Sequence, residues 1–227
     1  CQHFLRRRSI FPSAWDLHST WSRLEVPNRA APFTRDTLLA VAYHLNARGM
    51  WQTGVLMCVA FHCLLRAGEV FLLQKEHVAL SADCTGLIAL PWTKGGQRRG
   101  SREFVSVDDS HVGRMLSKVL QHCPAGQLLL PLSPQAFRRA FPLAVSEAGL
   151  SHLGFRPHSL RRGGATRDAR AHGDILRTCF RGRWANVRTA QIYVTGALSS
   201  LVSLQLDPPL QASVSRKASL FVEAILA

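Results

Sequence analysis

The segment from Gln52 to Leu65, QTGVLMCVAFHCLL, is apolar on nearly every side of the helix it would form. A helix with one apolar face can lie on a surface, but one that is apolar all round has to be enclosed by other elements. A chain of 227 residues can do this within one sizeable domain. The apolar run continues to Leu73 and takes in His62, Arg66 and Glu69, so it reads as a core helix entering a charged turn, not as a membrane span. No secretory signal opens the sequence. The six cysteines form no CxxC pair and no cysteine–histidine spacing suited to zinc, and Cys58 and Cys63 lie inside the apolar run. A reduced intracellular protein without a metal site is the expectation.

The rest of the pattern supplies the enclosing elements. FTRDTLLAVAYHLNARG offers Thr34 as N-cap, apolar positions at Leu38, Leu39, Val41, Ala42 and Leu45, and Gly49 as a stop, which predicts an amphipathic helix. GLIALPW and REFVSV read as two strands joined by the glycine-rich basic turn TKGGQRRGS. Helices are expected over about 110–122, 134–148, 159–171, 174–182, 187–195 and 215–226. The predicted class is mainly α (α+β): a helical domain carrying a small antiparallel sheet. Residues 1–33 hold FLRRRS, two tryptophans and several prolines with weak periodicity, as a linker would, and the opening cysteine fits a fragment or a processed piece.

Charge narrows the function. Lys and Arg number 28 against 14 Asp and Glu, a formal net charge of +14, which calls for a polyanion or a membrane surface as partner. Nucleic acid is the commoner of the two. Only Lys75, Lys94, Lys118 and Lys217 are lysines, so the excess is carried by arginine, whose planar fork grips phosphate with two donors. Between Ala148 and Leu206 nine arginines face two acids, a stretch that would bind a polyanion in a salt-dependent way. A basic helical scaffold would share this charge but leaves the spacing of the chain's motifs unexplained.

Four local patterns carry candidate chemistry, each with an ordinary structural explanation when taken alone. RPHSLRRGG puts His158 and Arg161 nearly one turn apart at a helix start, where free N–H groups and the helix dipole favour an anion. Arg66 interrupts an apolar segment, with Glu69 three residues on as its natural partner. Lys94 sits in the hairpin turn, and by itself is an exposed loop lysine. Tyr193, one of only two tyrosines, ends a stretch rich in arginine, whereas Tyr43 falls on the amphipathic helix as a packing residue.

In their order and spacing, LLRAGE, WTKGG, HSLRRGGAT and GRWANVRTAQIYV resemble the catalytic domain of the tyrosine recombinases, the phage integrase family, from about Pro27 to the C-terminus. The resemblance implies a catalytic set of Arg66, Lys94, His158, Arg161, Trp184 and Tyr193. Trp184 lies 23 residues after Arg161 and 9 before Tyr193, as the family leads one to expect. The tryptophan stands where the family more often has a histidine after a glycine, and Arg183 stands in place of that glycine. Further DNA contacts are expected from Arg98, Arg99, Arg102, Arg156 and Arg162. The implied division is a linker or a remnant of an upstream DNA-binding domain over 1–27 and the catalytic domain over 28–227.

The implied activity is cleavage and rejoining of double-stranded DNA through a 3′-phosphotyrosine, in site-specific recombination or integration of the mobile-element type, with neither metal nor cofactor. A free phenol titrates near ~10 and is a poor nucleophile at neutral pH. The family chemistry supplies arginines for the phosphate oxygens, His158 to help deprotonate Tyr193, and Lys94 to protonate the departing 5′ oxygen. Self-association into a tetrameric synaptic complex on DNA is expected, at DNA inside the cell: the nucleus if eukaryotic, the cytoplasm if prokaryotic. A type IB topoisomerase uses nearly the same residues to relax supercoils, and a catalytically inactive DNA-binding module derived from a mobile element would keep the charge without the chemistry.

Overall fold

The computed structural model describes residues 12–24, 30–91, 102–194 and 196–227. Helix α1 (Pro12–Leu24) lies within the stretch expected to be a linker or the remnant of an upstream domain. Its two tryptophans, Trp15 and Trp21, are helical residues, a regularity that the prolines around them hid from the sequence reading.

Helix α2 (Arg35–Ala47) starts where expected. The Thr34 hydroxyl accepts from the Thr37 N–H at 3.2 Å and the Thr37 hydroxyl accepts from the Thr34 N–H at 3.0 Å, a reciprocal cap that satisfies two donors of the first turn. Helix α3 (Trp51–His62) is the enclosed helix: every residue from Thr53 to Phe61 is buried. It is surrounded by α2, α5 (Ser110–His122) and α7 (His158–His172), while α11 (Pro208–Leu226) lies along α2 and sets the Phe221 ring against Gly54. Burial pushes the Cys58 and Cys63 thiols up to about 12, so both behave as small apolar residues.

The short helix α4 (Ala67–Val70) leads to an antiparallel sheet of order β1–β2–β3. Strand β2 (Gly86–Leu90) pairs with β3 (Glu103–Val107), Ile88 opposite Val105, as the alternation predicts. Ile88, Leu90, Val105 and Val107 face the core, and Leu87 and Phe104 face out. The third strand, β1 (Val78–Leu80), went unread because three residues are too few to show alternation. The hairpin turn, with Lys94, Arg98 and Arg99, lies outside the described residues.

Helix α6 (Pro134–Glu147), then α7, α8 (Ile175–Arg181) and α9 (Val187–Tyr193) follow the expected ranges closely. Asp174 and Asn186 cap α8 and α9 through their side-chain oxygens. Two further points differ from the reading. A helix α10 (Gly196–Leu204) was not foreseen, and α11 begins at Pro208, because Asp207 caps it and a proline at a helix start is compatible with the helix. No helix among the described residues is long and apolar enough to cross a membrane.

The glycine pair in RRGGAT fixes how α7 meets its neighbours. A Cβ on Gly163 would lie 2.2 Å from the Phe33 carbonyl oxygen, and one on Gly164 would lie 1.9 Å from the Phe61 carbonyl oxygen. These are backbone atoms that cannot swing aside, so the two helices touch only because no side chain intervenes. Gly164→Ala is expected to destabilise the fold by ~1–3 kcal/mol, the range for overpacking a filled interface. Gly68→Ala, where a Cβ meets nothing within 4 Å, should leave the midpoint of urea unfolding unchanged or raise it slightly. Equal midpoints for the two variants would refute this account of the contact.

Candidate active site

The close approach of α3 and α7 puts the end of one beside the start of the other. At that end Leu64 adopts φ 52°, a left-handed turn that points its carbonyl at the N-terminal half of α7. Arg161, 1% exposed, fills the space: its Nη1 donates to the Leu64 carbonyl and its Nη2 to the Gly182 carbonyl in the loop after α8. One guanidinium therefore joins three segments that are far apart in the sequence.

The aromatic residues pack over this charge. The Arg161 guanidinium carbon sits 4.6 Å from the Trp184 ring centroid and 5.6 Å from that of Tyr193, so both rings turn a face to the cation. The two rings are 4.8 Å apart. His158, the first residue of α7, places its ring 5.2 Å from Tyr193 on the exposed side. Tyr193 is the last residue of α9, half-buried, with its backbone carbonyl accepting from the Thr166 hydroxyl at 3.3 Å. Leu64, Ala165, Cys179, Trp184 and Ala190 form a small apolar cluster beneath, separate from the main core.

Burial lowers the Arg161 pKa, and the nearby Arg66 and Arg183 guanidiniums lower it further. His158 is likewise held below its ordinary value of 6.5, by partial desolvation and then by Arg161, Arg162 and Arg66. Its imidazole is therefore neutral at pH 7, with a ring nitrogen able to take a proton.

Arg66 caps the start of α4 with its side chain partly exposed. Its Nη1 donates to Glu69 at 2.7 Å and its backbone N–H to the other Glu69 oxygen at 2.8 Å, the pairing that the i, i+3 spacing predicts. Glu69 has a second partner that the sequence reading missed. Arg183 Nη2 donates to it at 2.9 Å from 114 positions along the chain. Burial pushes the Glu69 carboxyl up, but the two arginines outweigh this and hold it below its ordinary value. The one signal for Arg183 was its position in place of a glycine before Trp184.

Of the expected set, Arg66, His158, Arg161, Trp184 and Tyr193 come together, while Lys94 lies outside the described residues along with Arg98 and Arg99. Arg102 and Arg156 are exposed. Arg162 does not fit its expected role as a DNA contact: it is 5% exposed and donates to the Ala30 carbonyl at 3.3 Å, tying the entry segment to α7. Its neighbour Arg161, about 100° further round the helix, turns instead to the Leu64 and Gly182 carbonyls of the site.

The family model for the phage integrase family matches residues 34–198, and the chain belongs to that family. Two solved structures share the fold. A XerH site-specific recombinase bound to difH substrate, in a pre-cleavage complex, is 16% identical with a TM-score of 0.58, over 80% of this chain and 54% of that one. The same recombinase in a post-cleavage complex with a palindromic difH substrate is 14% identical with a TM-score of 0.57, over 78% and 54%. The chain thus spans about half the length of the recombinases it matches. No curated protein sequence matches it.

Gly182 tests the aromatic packing. A Cβ there would lie 1.8 Å from Cζ3 of Trp184, so the ring packs directly against the glycine. Gly182→Ala is expected to push Trp184 off the Arg161 guanidinium and cost ~1–3 kcal/mol of stability. Near-UV circular dichroism and thermal unfolding would detect both changes, and a variant identical to wild type in both would refute the packing argument.

Proposed function

We propose that this chain cuts and rejoins double-stranded DNA through a covalent 3′-phosphotyrosine on Tyr193, in site-specific recombination or integration of the mobile-element type. The observation that carries the reading is the packing of Trp184 and Tyr193 over one buried arginine, with His158 against the Tyr193 ring, from segments spread over residues 158–193. The tyrosine has a neutral base beside it and a cation beneath it, which are the two things a phenol needs to attack a phosphodiester.

In this reading the Tyr193 oxygen attacks phosphorus, the Tyr O–P bond forms, and the bond from phosphorus to the 5′ oxygen breaks. His158 accepts the phenolic proton, and Lys94 gives one to the 5′ oxygen. Arg66, the more exposed arginine, meets the non-bridging oxygens. Arg161 supports the developing negative charge from below, and the Trp184 indole N–H adds a neutral donor. Because the phosphotyrosine ester keeps the energy of the broken bond, a 5′ hydroxyl from either duplex can reverse the step. Exposed Arg102 and Arg156, with Arg98 and Arg99 of the hairpin, are assigned to phosphate contacts along the duplex. Exchange between two duplexes requires several copies on DNA, and a tetrameric synaptic assembly, acting at DNA inside the cell, is part of the proposal.

The test is a suicide duplex that traps the covalent intermediate, resolved on a denaturing gel. Tyr193→Phe is expected to abolish the protein–DNA band while leaving DNA binding within about twofold, since it removes one hydroxyl and no charge; Tyr43→Phe should do neither. A band that survives in the Tyr193 variant would overturn the reading. Supercoil relaxation without strand exchange would redirect it to a topoisomerase.

The pH profile follows from His158. Its neutral form is the active one and its pKa is held below 6.5, so cleavage at subsaturating DNA should rise with pH through the acid side of 6.5 and level off by pH 7. His158→Ala should be slower by about 10²–10⁴ and lose that inflection. An unchanged profile in the variant would remove His158 from the proton path.

A further inference from the structure

Arg183 adopts φ 57°, in the left-handed region where a glycine would sit without strain. The side chain present there is only 7% exposed and is placed between two carboxylates. Nη2 donates to Glu69 at 2.9 Å and reaches the Leu64 carbonyl at 3.4 Å, and Nη1 faces Glu103 at 3.6 Å. Glu69 holds Arg66 with its other oxygen, and the Leu64 carbonyl is the one that accepts from Arg161. Glu103 is the first residue of β3, where the chain returns from the hairpin turn that carries Lys94. Arg183 itself is the residue before Trp184.

A buried cation in a strained backbone position is costly twice over, in desolvation and in conformation. A turn needing only its shape would be served by glycine. We propose that Arg183 is a positioning residue of this centre: through Glu69, Leu64 and Glu103 it ties the turn that presents Trp184 to Arg66, to the anchor of Arg161 and to the base of the Lys94 hairpin. It is not a catalytic residue, because its contacts are with the groups that hold the site and not with Tyr193. The role rests on the cleavage reading above, but the contacts exist without DNA.

Arg183→Gly separates side chain from turn, because glycine keeps the left-handed backbone and removes only the guanidinium. With the suicide duplex at saturating concentration, the single-turnover rate is expected to fall about tenfold or more, with DNA affinity within about threefold and Arg183→Lys intermediate. The double variant Arg183→Gly with Glu69→Gln should be no slower than the slower single variant, since both act on one path. In the free protein, the ¹⁵N side-chain signal of Arg66 should shift in Arg183→Gly and in Arg183→Lys. Should the glycine variant fail to fold by circular dichroism, the lysine variant carries the same readouts. A wild-type rate in Arg183→Gly, full additivity with Glu69→Gln, or an unmoved Arg66 signal would each overturn the proposal. A wild-type protein that forms no adduct would instead defeat the cleavage reading, and the Arg66 signal would still decide this one.

Discussion

The buried guanidinium of Arg161 is the point on which the rest of the site depends. A charge taken out of water must be met by oriented dipoles, and here two backbone carbonyls, Leu64 and Gly182, and two ring faces take that part. Each carbonyl is aimed by a local distortion. Leu64 is itself left-handed, and Gly182 is followed by left-handed Arg183. Residues with side chains held in such conformations cost ~1–3 kcal/mol each and persist only where their surroundings compensate. Two of the three left-handed non-glycine residues among the described residues, Leu64 and Arg183, thus lie beside the charge, the third being Cys84 between β1 and β2, and removing the charge would leave the two turns without a reason for their shape.

What allows the charge to reach the carbonyls is the absence of bulk. Gly163 and Gly164 follow Arg161 and Arg162 directly, and they bring α7 against the backbone of Phe33 and Phe61. Phe61 precedes Leu64 by less than one turn, so the distance between the helices at the glycines sets the distance from the Arg161 side chain to its acceptor. A wider gap would leave Arg161 short of both the carbonyl and the rings. The motif RRGGAT thus couples packing to the site: two arginines with different partners, held in place by two residues without side chains.

Local features were legible in the sequence and long-range ones were not. The Thr34 cap, the enclosed helix and the Arg66–Glu69 pair are set by short-range spacing, and the β2–β3 pairing by two alternating runs either side of one turn. The second partner of Glu69 is set by the tertiary fold across 114 positions, and no period reports it. Arg162 was misread for the same reason: composition counts it as surface charge, while the fold turns it toward Ala30. Strand β1 and helix α10 were missed because the first is too short for a pattern and the second has apolar side chains at exposed Leu201 and Leu204, which blur its periodicity. Tyr193 and its neighbours His158, Arg161 and Trp184 were legible only through the order of the motifs, and the contacts among them through no local pattern.

The arginine-rich stretch then takes on a different meaning from the one its charge suggests. Of its nine arginines, Arg156, Arg167, Arg170 and Arg188 are exposed. Arg161 and Arg162 are buried, and Arg183 is enclosed by Glu69 and Glu103. Arg177 and Arg181 join Asp108, Asp168 and His62 in a network that includes Arg181 to Asp108 at 2.7 Å and Arg177 to Asp168 at 2.9 Å. That network clamps α8 to the end of β3 and to α7. Arg181 lies only three residues before Trp184, so the clamp determines where the loop carrying Trp184 leaves the helix. Asp108 stays charged across the physiological range, since its pKa is lowered to about 2: burial opposes the shift, and Arg181 with His62 overcomes it. The pull on a polyanion therefore comes from fewer arginines than the composition implies, and the others are spent on holding Arg161, Trp184 and Tyr193 in one place. In the proposed reaction such preorganisation would serve a phenol's attack better than additional surface charge, because fixed charges need no rearrangement when the transition state forms.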